Sequence, residues 1–205
     1  RTTEMMDHET SMEFSQGPDM HYGRTGCSAI TINEQRILLV GGYGVTTEIL
    51  SLSQDGTPPA FAPGPNLLCA RSFVAAISLD AHCVLVLGGV GNYLSLASTE
   101  VLNLEDMSVS AGPNMSCGRS QCAAVRLDTR RILLLGGNDG SDTLNTSEVL
   151  DVESMTFSAG PRMLQARAGC TAVPLDSRRI LVGGGRDSSG NDLATTEVRL
   201  SYFFY

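Results

Sequence analysis

The chain lacks several residue types that common functions require. It contains no lysine and no tryptophan, and only 18% of its 205 residues are charged, below the roughly 25% of average soluble domains. Without lysine, Schiff-base chemistry and the lysine of phosphate-binding loops are excluded. A formal net charge of −8 provides no basic footprint for nucleic acid. No apolar run approaches the roughly 18 residues of a membrane span, so we expect no transmembrane segment.

Signatures of catalysis and metal binding are also missing. The three histidines, His8, His21 and His82, share no metal-ligand spacing, and neither C-x-x-C nor G-x-S-x-G occurs. The acidic segment 138–142 lacks the alternating ligands and terminal Glu of a calcium loop and is typical of a turn. We therefore predict a protein that is not an enzyme and that uses no metal and no cofactor.

A repeat runs through the chain. Four short apolar runs end in glycine doublets, at Gly41-Gly42, Gly88-Gly89, Gly136-Gly137 and Gly183-Gly184, so the period is 47, 48 and 47 residues. A Thr/Ser-Glu-apolar segment follows each doublet, and its glutamates are Glu48, Glu100, Glu148 and Glu197. A Gly-Pro pair and then an arginine complete each unit, and these arginines are Arg24, Arg71, Arg119 and Arg167. Four markers in a fixed order indicate a repeat architecture.

Each unit predicts four short strands, here called a to d. Strand a follows the arginine, strand b is the apolar run, and strand c carries the glutamate. Strand d is centred on an apolar residue, namely Phe14, Phe61, Val109 or Phe157. An apolar run of this length fits a strand that is buried on both faces, and the Gly, Pro and Asp punctuation fits an all-β chain.

This pattern resembles the kelch repeat. The resemblance implies an all-β, kelch-type β-propeller of four-stranded antiparallel blades around a central channel, with about four blades present and possibly an incomplete ring. Where kelch repeats commonly have tryptophan, this chain has Phe or Val, which we expect to plug the space between blades. Residues 1–205 would form a single propeller domain. Its units would be a partial blade at 1–20, blades near 24–65, 70–113 and 118–161, and a partial blade at 166–205.

The strand count predicts one strand more than a closed ring of four blades needs. Both ends carry a strand c, because Thr2-Thr3-Glu4 and Thr195-Thr196-Glu197 share one signature. We expect either a window of a longer array, since kelch propellers usually have six or seven blades, or a small ring that the N-terminal strand d completes. Exposed strand edges are avoided in natural proteins, so missing blades or a partner chain should complete the ring.

The repeated Arg and Glu should lie near one rim, where Arg71 would pair with Glu48 or Glu100 as a structural tie. The alternative is that the arginines face an acidic ligand, as the resemblance implies for related propellers. The variable loops on this rim are either a recognition surface or plain turns. The candidate rim residues are Tyr22, Arg24, Tyr43, Arg71, Asn92, Tyr93, Arg119, Asn138, Asp139, Arg167, Arg186 and Asp187.

Two further features bear on partners and compartment. The aromatic tail Tyr202, Phe203, Phe204 and Tyr205 should either dock on a partner or a missing blade, or pack as an outer strand on its own blade. Cys27, Cys122 and Cys170 share one strand-a position that we expect to be buried. Equivalent positions in different blades lie apart, so we expect free thiols, which favour a reducing intracellular compartment.

Together these features predict a non-catalytic protein-binding scaffold, or a subunit of a larger complex, that uses its rim loops and strand edges. A propeller that binds a small molecule or carbohydrate is the alternative, and a kelch-fold enzyme is the third possibility.

Overall fold

The computed structural model describes residues 2–6, 13–42, 44–52 and 55–200, and these residues are all-β. They form three antiparallel sheets of four strands and a fourth sheet of three. The sheets are the blades of a four-blade, β-propeller-like arrangement, so the predicted all-β propeller fold is confirmed. No helix in this described part of the chain is long and apolar enough to cross a membrane.

The blades follow one another along the chain. Blade 1 consists of β3 (Ser28–Asn33), β4 (Arg36–Val40), β5 (Thr47–Ser51) and β6 (Ala60–Pro63). Blade 2 consists of β7 (Ala75–Ser78), β8 (Cys83–Leu87), β11 (Thr99–Asn103) and β12 (Ser108–Ala111). Blade 3 consists of β13 (Ala123–Arg126), β14 (Arg131–Leu135), β15 (Ser147–Asp151) and β16 (Thr156–Ala159). Blade 4 consists of β17 (Thr171–Pro174), β18 (Arg179–Gly183) and β19 (Thr196–Leu200).

Two small hairpins accompany the blades. Strands β1 (Glu4–Met6) and β2 (Phe14–Gln16) form a separate two-stranded sheet ahead of blade 1. Strands β9 (Val90–Gly91) and β10 (Leu94–Ser95) form a short hairpin inside the loop between strands b and c of blade 2, which we had predicted as a loop. In the described ranges, no strand pairing joins the first sheet to the last.

Each blade has a trailing face and a leading face. We define the trailing face by one cross-strand row from strands a, b and c, which in blade 3 is Val125, Leu133 and Val149. Alternate residues point to opposite faces of a strand, so the leading face carries the residues between them, such as Ile132 and Leu134. After its first residue, strand b is apolar at successive positions, so it supplies both faces, as its sequence predicted.

The core lies between successive blades rather than within one. The trailing face of blade 1 packs on the leading face of blade 2, and the same contact recurs between blades 2 and 3 and between blades 3 and 4. Side chains from strand d complete two of these layers, with Val109 between the first pair and Phe157 between the second. Each blade is therefore stabilised mainly by its neighbours, as in other repeat proteins.

Three sequence expectations need correction. The fourth glycine doublet is Gly184-Gly185 and not Gly183-Gly184, because Gly183 is the last residue of β18 and pairs with Thr171 and Thr196. Phe14 does not plug a gap between blades; it is 69% exposed, since only β1 pairs with its strand. Cys27 is exposed instead of buried, whereas Cys122 is buried and Cys170 half-buried. All six cysteines are free thiols.

Candidate binding surface

The repeated arginine and glutamate form a buried clamp in every blade, as we predicted for a structural tie. Each arginine bonds the glutamate of its own blade; for Arg71 the partner is Glu100, at 2.7 Å from Nη2 to Oε1. In blade 3, Arg119 Nε lies 3.0 Å from Glu148 Oε1. The remaining clamps are Arg24 with Glu48 and Arg167 with Glu197. The pairing joins the start of strand a to strand c across the sheet.

Each clamp also holds the loops around it. Arg119 Nη1 donates to the carbonyl oxygens of Gly136 and Thr146, and Nη2 donates to the hydroxyl of Thr146. Glu148 in turn accepts the backbone N–H of Ser116. The guanidinium thus joins the residue after strand b to the residue before strand c. Arg119 is only 1% exposed. This geometry supports a structural role for the four arginines; contact with an acidic ligand stays a prediction.

The clamps affect the titration of two of the glutamates. Burial raises the pKa of Glu48, but the His21 N–H, the His21 ring and Arg24 together outweigh burial, and the pKa lies below its ordinary value. Burial likewise raises the pKa of Glu197, but the Leu164 N–H, Arg167 and the Gln165 N–H together outweigh burial, and the pKa lies below its ordinary value. Both carboxylates are therefore held in the charged form that the clamp requires.

The variable loops meet on one surface, here called the loop face. It comprises the loops between strands b and c of blades 2, 3 and 4 and the residues that directly follow the clamp arginines. Isolated β-bridges fasten the two sets together: Ser72 pairs with Val90, Ser120 with Asn138, and Ala168 with Arg186. The loops are thus anchored on the clamps.

Tyr93 is the most prominent side chain of the loop face. The hairpin β9–β10 turns at Asn92 and Tyr93, whose φ angles are +50° and +65°. Left-handed backbone at both turn residues is the geometry of a tight two-residue β-hairpin, although a bulky aromatic residue rarely adopts it. The Tyr93 side chain is fully exposed. An aromatic ring is therefore held in solvent by a strained but fixed turn.

A second set of residues forms a line of hydrogen bonds from blade to blade. The N–H of Phe73 donates to the carbonyl of Gly26, that of Gln121 to Phe73, and that of Gly169 to Gln121. All four residues have left-handed φ angles, between 56° and 68°. Phe73 and Gln121 therefore stand in a conformation that favours glycine, which indicates a constraint imposed by the blades around them.

These side chains line two adjoining cavities. The first cavity has a volume of about 410 Å³, and its walls include Phe73, Tyr93, Gln121, Asn138 and Arg186. A neighbouring hollow of about 520 Å³ shares Phe73, Gln121 and Arg186. Phe73 and Gln121 were not among our sequence candidates. Their signal was the position two residues after the clamp arginine, where the repeat changes from Gly to Phe to Gln and back to Gly.

The charged residues of the loop face divide into two groups. Arg186 is 63% exposed at its side chain and forms an exposed ion pair with Asp192, at 3.1 Å between Nη2 and Oδ1. Asp139 and Asp187 instead cap their own turns. The N–H groups of Asp142 and Ser141 hold the pKa of Asp139 below its ordinary value, and Asn191 does the same for Asp187. Arg186 thus lines this cavity as an exposed cation, while the two aspartates accept hydrogen bonds from their own loops.

The other candidates fall elsewhere. Tyr22 is exposed in the loop ahead of blade 1 and does not line either cavity. Asn92 forms the turn that presents Tyr93. Tyr43 and the aromatic tail Tyr202, Phe203, Phe204 and Tyr205 lie outside the described residues. A further hollow of about 450 Å³ lies between strands of blade 3 and the loop before it. Of its charged walls, Arg119 and Glu148 are bonded to each other, and Arg162 donates to the Asn145 side chain.

Comparisons with known proteins add no family. Neither the scan against protein-family models nor the search of curated proteins gave a match. Among the side chains that the structure describes, no group of three or more His, Cys, Asp and Glu is arranged to hold a metal ion. The propeller-like fold and the loop face are therefore the observations from which function has to be inferred.

Proposed function

We propose that the chain is a non-catalytic, kelch-type scaffold that binds another protein through its loop face. The observation that carries the proposal is Tyr93, a fully exposed aromatic side chain on a fixed hairpin beside a cavity that also contains Phe73 and Arg186. Aromatic residues and arginine dominate the binding energy of protein interfaces. A backbone turn that is already formed does not have to be ordered on binding, which favours affinity.

The shape of the loop face is suited to a protein partner. Tyr93 projects outward, and Leu94 next to it is 68% exposed, so a partner would meet a protruding apolar tip next to a polar cavity. An apolar anchor surrounded by Asn138, Gln121 and Arg186 matches the usual arrangement of an apolar centre and a polar rim. We expect the partner to place an acidic side chain near Arg186, because this guanidinium faces solvent with only an exposed carboxylate beside it.

A carbohydrate or other polar small molecule is the second candidate. The cavity of about 410 Å³ falls within the range of about 300–1,000 Å³ typical of ligand pockets. Ser95, Ser120, Gln121 and Asn138 supply hydrogen-bonding groups around the Phe73 ring. This candidate requires the ligand to enter the cavity and not only to touch Tyr93.

Site-specific photocrosslinking tests the proposal. A benzophenone amino acid at position 93 should capture a protein partner in the native cell, and the same residue at position 107 is the control. Met107 is also exposed and also has a left-handed backbone (φ 60°), but it lies in the turn between strands c and d, away from the loop face. Capture at both positions, or at neither, would contradict binding through the loop face.

Affinity measurements with the captured protein complete the test. Tyr93→Ala should weaken binding by about 30-fold, the equivalent of a hot-spot loss of about 2 kcal/mol. Arg186→Ala should also weaken binding and should reduce the salt dependence of the affinity. Met107→Ala should leave the affinity unchanged. Equal affinity of Tyr93→Ala and the unaltered chain would refute the proposal. A ligand that binds the cavity and is sensitive to Gln121→Ala but not to Tyr93→Ala would favour the second candidate.

A further inference from the structure

Blade 4 exposes the face that the other blades bury. Its trailing row is Val173, Leu181 and Val198, in register with the buried row of blade 3. Val173 is 44% exposed, whereas the equivalent Val125 is 5% exposed. Val198 is 55% exposed, whereas the equivalent Ile49 in blade 1 is 4% exposed. An apolar sheet face with this exposure is typical of an interface.

Blade 1 leaves the opposite face incompletely covered. In blade 3 the leading face is sealed, since Ile132, Leu134 and Leu150 have no exposure at all. The equivalent residues of blade 1 are only half-buried; they are Ile37, Leu39 and Leu50. Ala29 on its first strand β3 is exposed, and so is Cys27 just ahead of that strand. The two ends of the array thus present the two halves of one kind of contact.

Backbone hydrogen bonds define that contact more sharply. Every junction between blades has two of them, in opposite directions. Between blades 2 and 3, Gly89 N–H donates to the Arg119 carbonyl at 2.8 Å, and Gln121 N–H donates to the Phe73 carbonyl at 2.9 Å. The junction of blades 3 and 4 repeats both bonds, from Gly137 to Arg167 and from Gly169 to Gln121, each at 2.8 Å.

The ends of the array leave the matching groups free. In the part of the chain that the structure describes, no hydrogen bond engages the Gly185 N–H or the Gly169 carbonyl of blade 4. Nor does one engage the Arg24 carbonyl or the Gly26 N–H of blade 1. By the rule of the internal junctions, Gly185 would donate to Arg24, and Gly26 would donate to Gly169. Each end therefore carries one donor and one acceptor, and these match the acceptor and the donor of the other end.

We propose that the trailing face of blade 4 binds the leading face of blade 1 of a second copy of this chain. The contact continues the three junctions already present, with the same apolar rows and the same pair of backbone hydrogen bonds. It is heterologous, so two copies with the correct rotation close into a ring with two such junctions. Two copies supply eight blades, which lies within the usual four to eight of a propeller, whereas three copies would exceed it.

The hairpin β1–β2 is compatible with this assembly. Strand β1 carries the strand-c signature, but Glu4 is exposed, whereas Glu197 is held by Arg167 in β19. In the two-copy ring, β1 of one copy and β19 of the other therefore compete for the edge of β18. Whichever of them pairs there, the row formed by Val173 and Leu181 still covers blade 1 of the second copy.

The mass of this 205-residue chain in solution tests the proposal. Light scattering after gel filtration should give twice the 21.7 kDa of one chain, and dilution should shift the value toward that of one chain. Val173→Asp at the trailing face and Ala29→Glu at the leading face should each give a monomer, because each places a charge in an apolar junction. Leu164→Glu is the matched control; Leu164 is 89% exposed in a loop outside both faces, and this variant should stay dimeric. Circular dichroism checks that the variants are folded.

Mixing the two monomeric variants distinguishes the head-to-tail contact from a contact between two like faces. Val173→Asp chains keep an intact leading face and Ala29→Glu chains keep an intact trailing face, so an equimolar mixture should form a dimer with one chain of each. A dimer of Ala29→Glu alone would show that two trailing faces bind each other and would overturn the proposal. A monomeric unaltered chain throughout the micromolar range would also overturn it, since the exposed face would then serve further blades or an unrelated partner.

Discussion

The buried clamp between Arg119 and Glu148 allows a sharp stability prediction. Replacing Arg119 with Met keeps most of the side-chain volume but removes every donor of the guanidinium. Glu148 is left as a buried carboxylate that retains only the Ser116 N–H. The Gly136 carbonyl loses the guanidinium as its donor, and the Thr146 carbonyl keeps only the Gly136 N–H. Breaking a buried ion pair from one side costs about 3–5 kcal/mol, because the remaining charge has no compensation.

That loss should be visible in thermal unfolding. For a chain of this length, 1 kcal/mol corresponds to about 2–4 °C in the midpoint, so Arg119→Met should lower it by roughly 6–20 °C. The double variant Arg119→Met, Glu148→Gln should be less destabilised than Arg119→Met alone. An uncharged amide costs less to leave in the site, and it still accepts the Ser116 N–H.

The chain supplies its own control for this experiment. Arg130 pairs with Asp151 at 2.6 Å, but its side chain is 56% exposed, so Arg130→Met should leave the midpoint nearly unchanged. Both variants make the same substitution in the same blade and differ in burial of the pair. If Arg119→Met and Arg130→Met lowered the midpoint equally, the clamp would not be the structural tie that we infer, and the arginine ring would have to be reconsidered as a ligand site.

Three further predictions follow from the structure. The pKa values of Glu48 and Glu197 lie below 4.5, and the Ser154 N–H and Arg130 lower the pKa of Asp151 to about 2. The stability that these carboxylates contribute is therefore complete above pH 4.5 and is lost as the pH falls toward 2. The midpoint of urea unfolding should fall in that window, and it should fall less for Glu197→Gln. Burial raises the pKa of Cys122 to about 12, so iodoacetamide at pH 8 should label exposed Cys27 in the native chain and spare Cys122 until denaturant is added, and equal labelling rates would contradict the buried position. A Cβ at Gly88 would overlap the Arg119 carbonyl, whereas at Gly184, with a similar φ of +64°, the nearest atom would be 3.8 Å away. Gly88→Ala should therefore lower the free energy of unfolding of the monomeric protein by roughly 2 kcal/mol more than Gly184→Ala does. Equal losses of stability would leave only backbone strain as the cause.

The repeat in the sequence was sufficient to predict the blades, because strand b, the glycine doublet and the Arg and Glu markers act locally and recur. It was also sufficient for the pairing of Arg71 with a glutamate, though not for the choice of Glu100 over Glu48. That choice depends on which loop folds back on which sheet. The hairpin β9–β10 was missed because Asn92 and Tyr93 do not have the Asn-Gly pattern of a typical tight turn.

The loop face was only partly predictable for a related reason. Tyr93, Asn138 and Arg186 were found as departures from the repeat, and these side chains do line one cavity. Phe73 and Gln121 were missed because they follow the repeated arginine and looked like the start of strand a. Exposure at Cys27 was also missed, since burial in a propeller depends on the neighbouring blade and not on the residue's own strand.

The junctions between blades have a consequence for how such a chain can evolve. Each uses a trailing row, a leading row and the same two backbone hydrogen bonds, and none depends on a residue unique to its place in the array. A unit that is duplicated or deleted in the gene therefore brings or removes one complete joint and leaves every other joint intact. The loops are under no such restriction, so the binding surface can diversify between units while the number of blades varies independently of it.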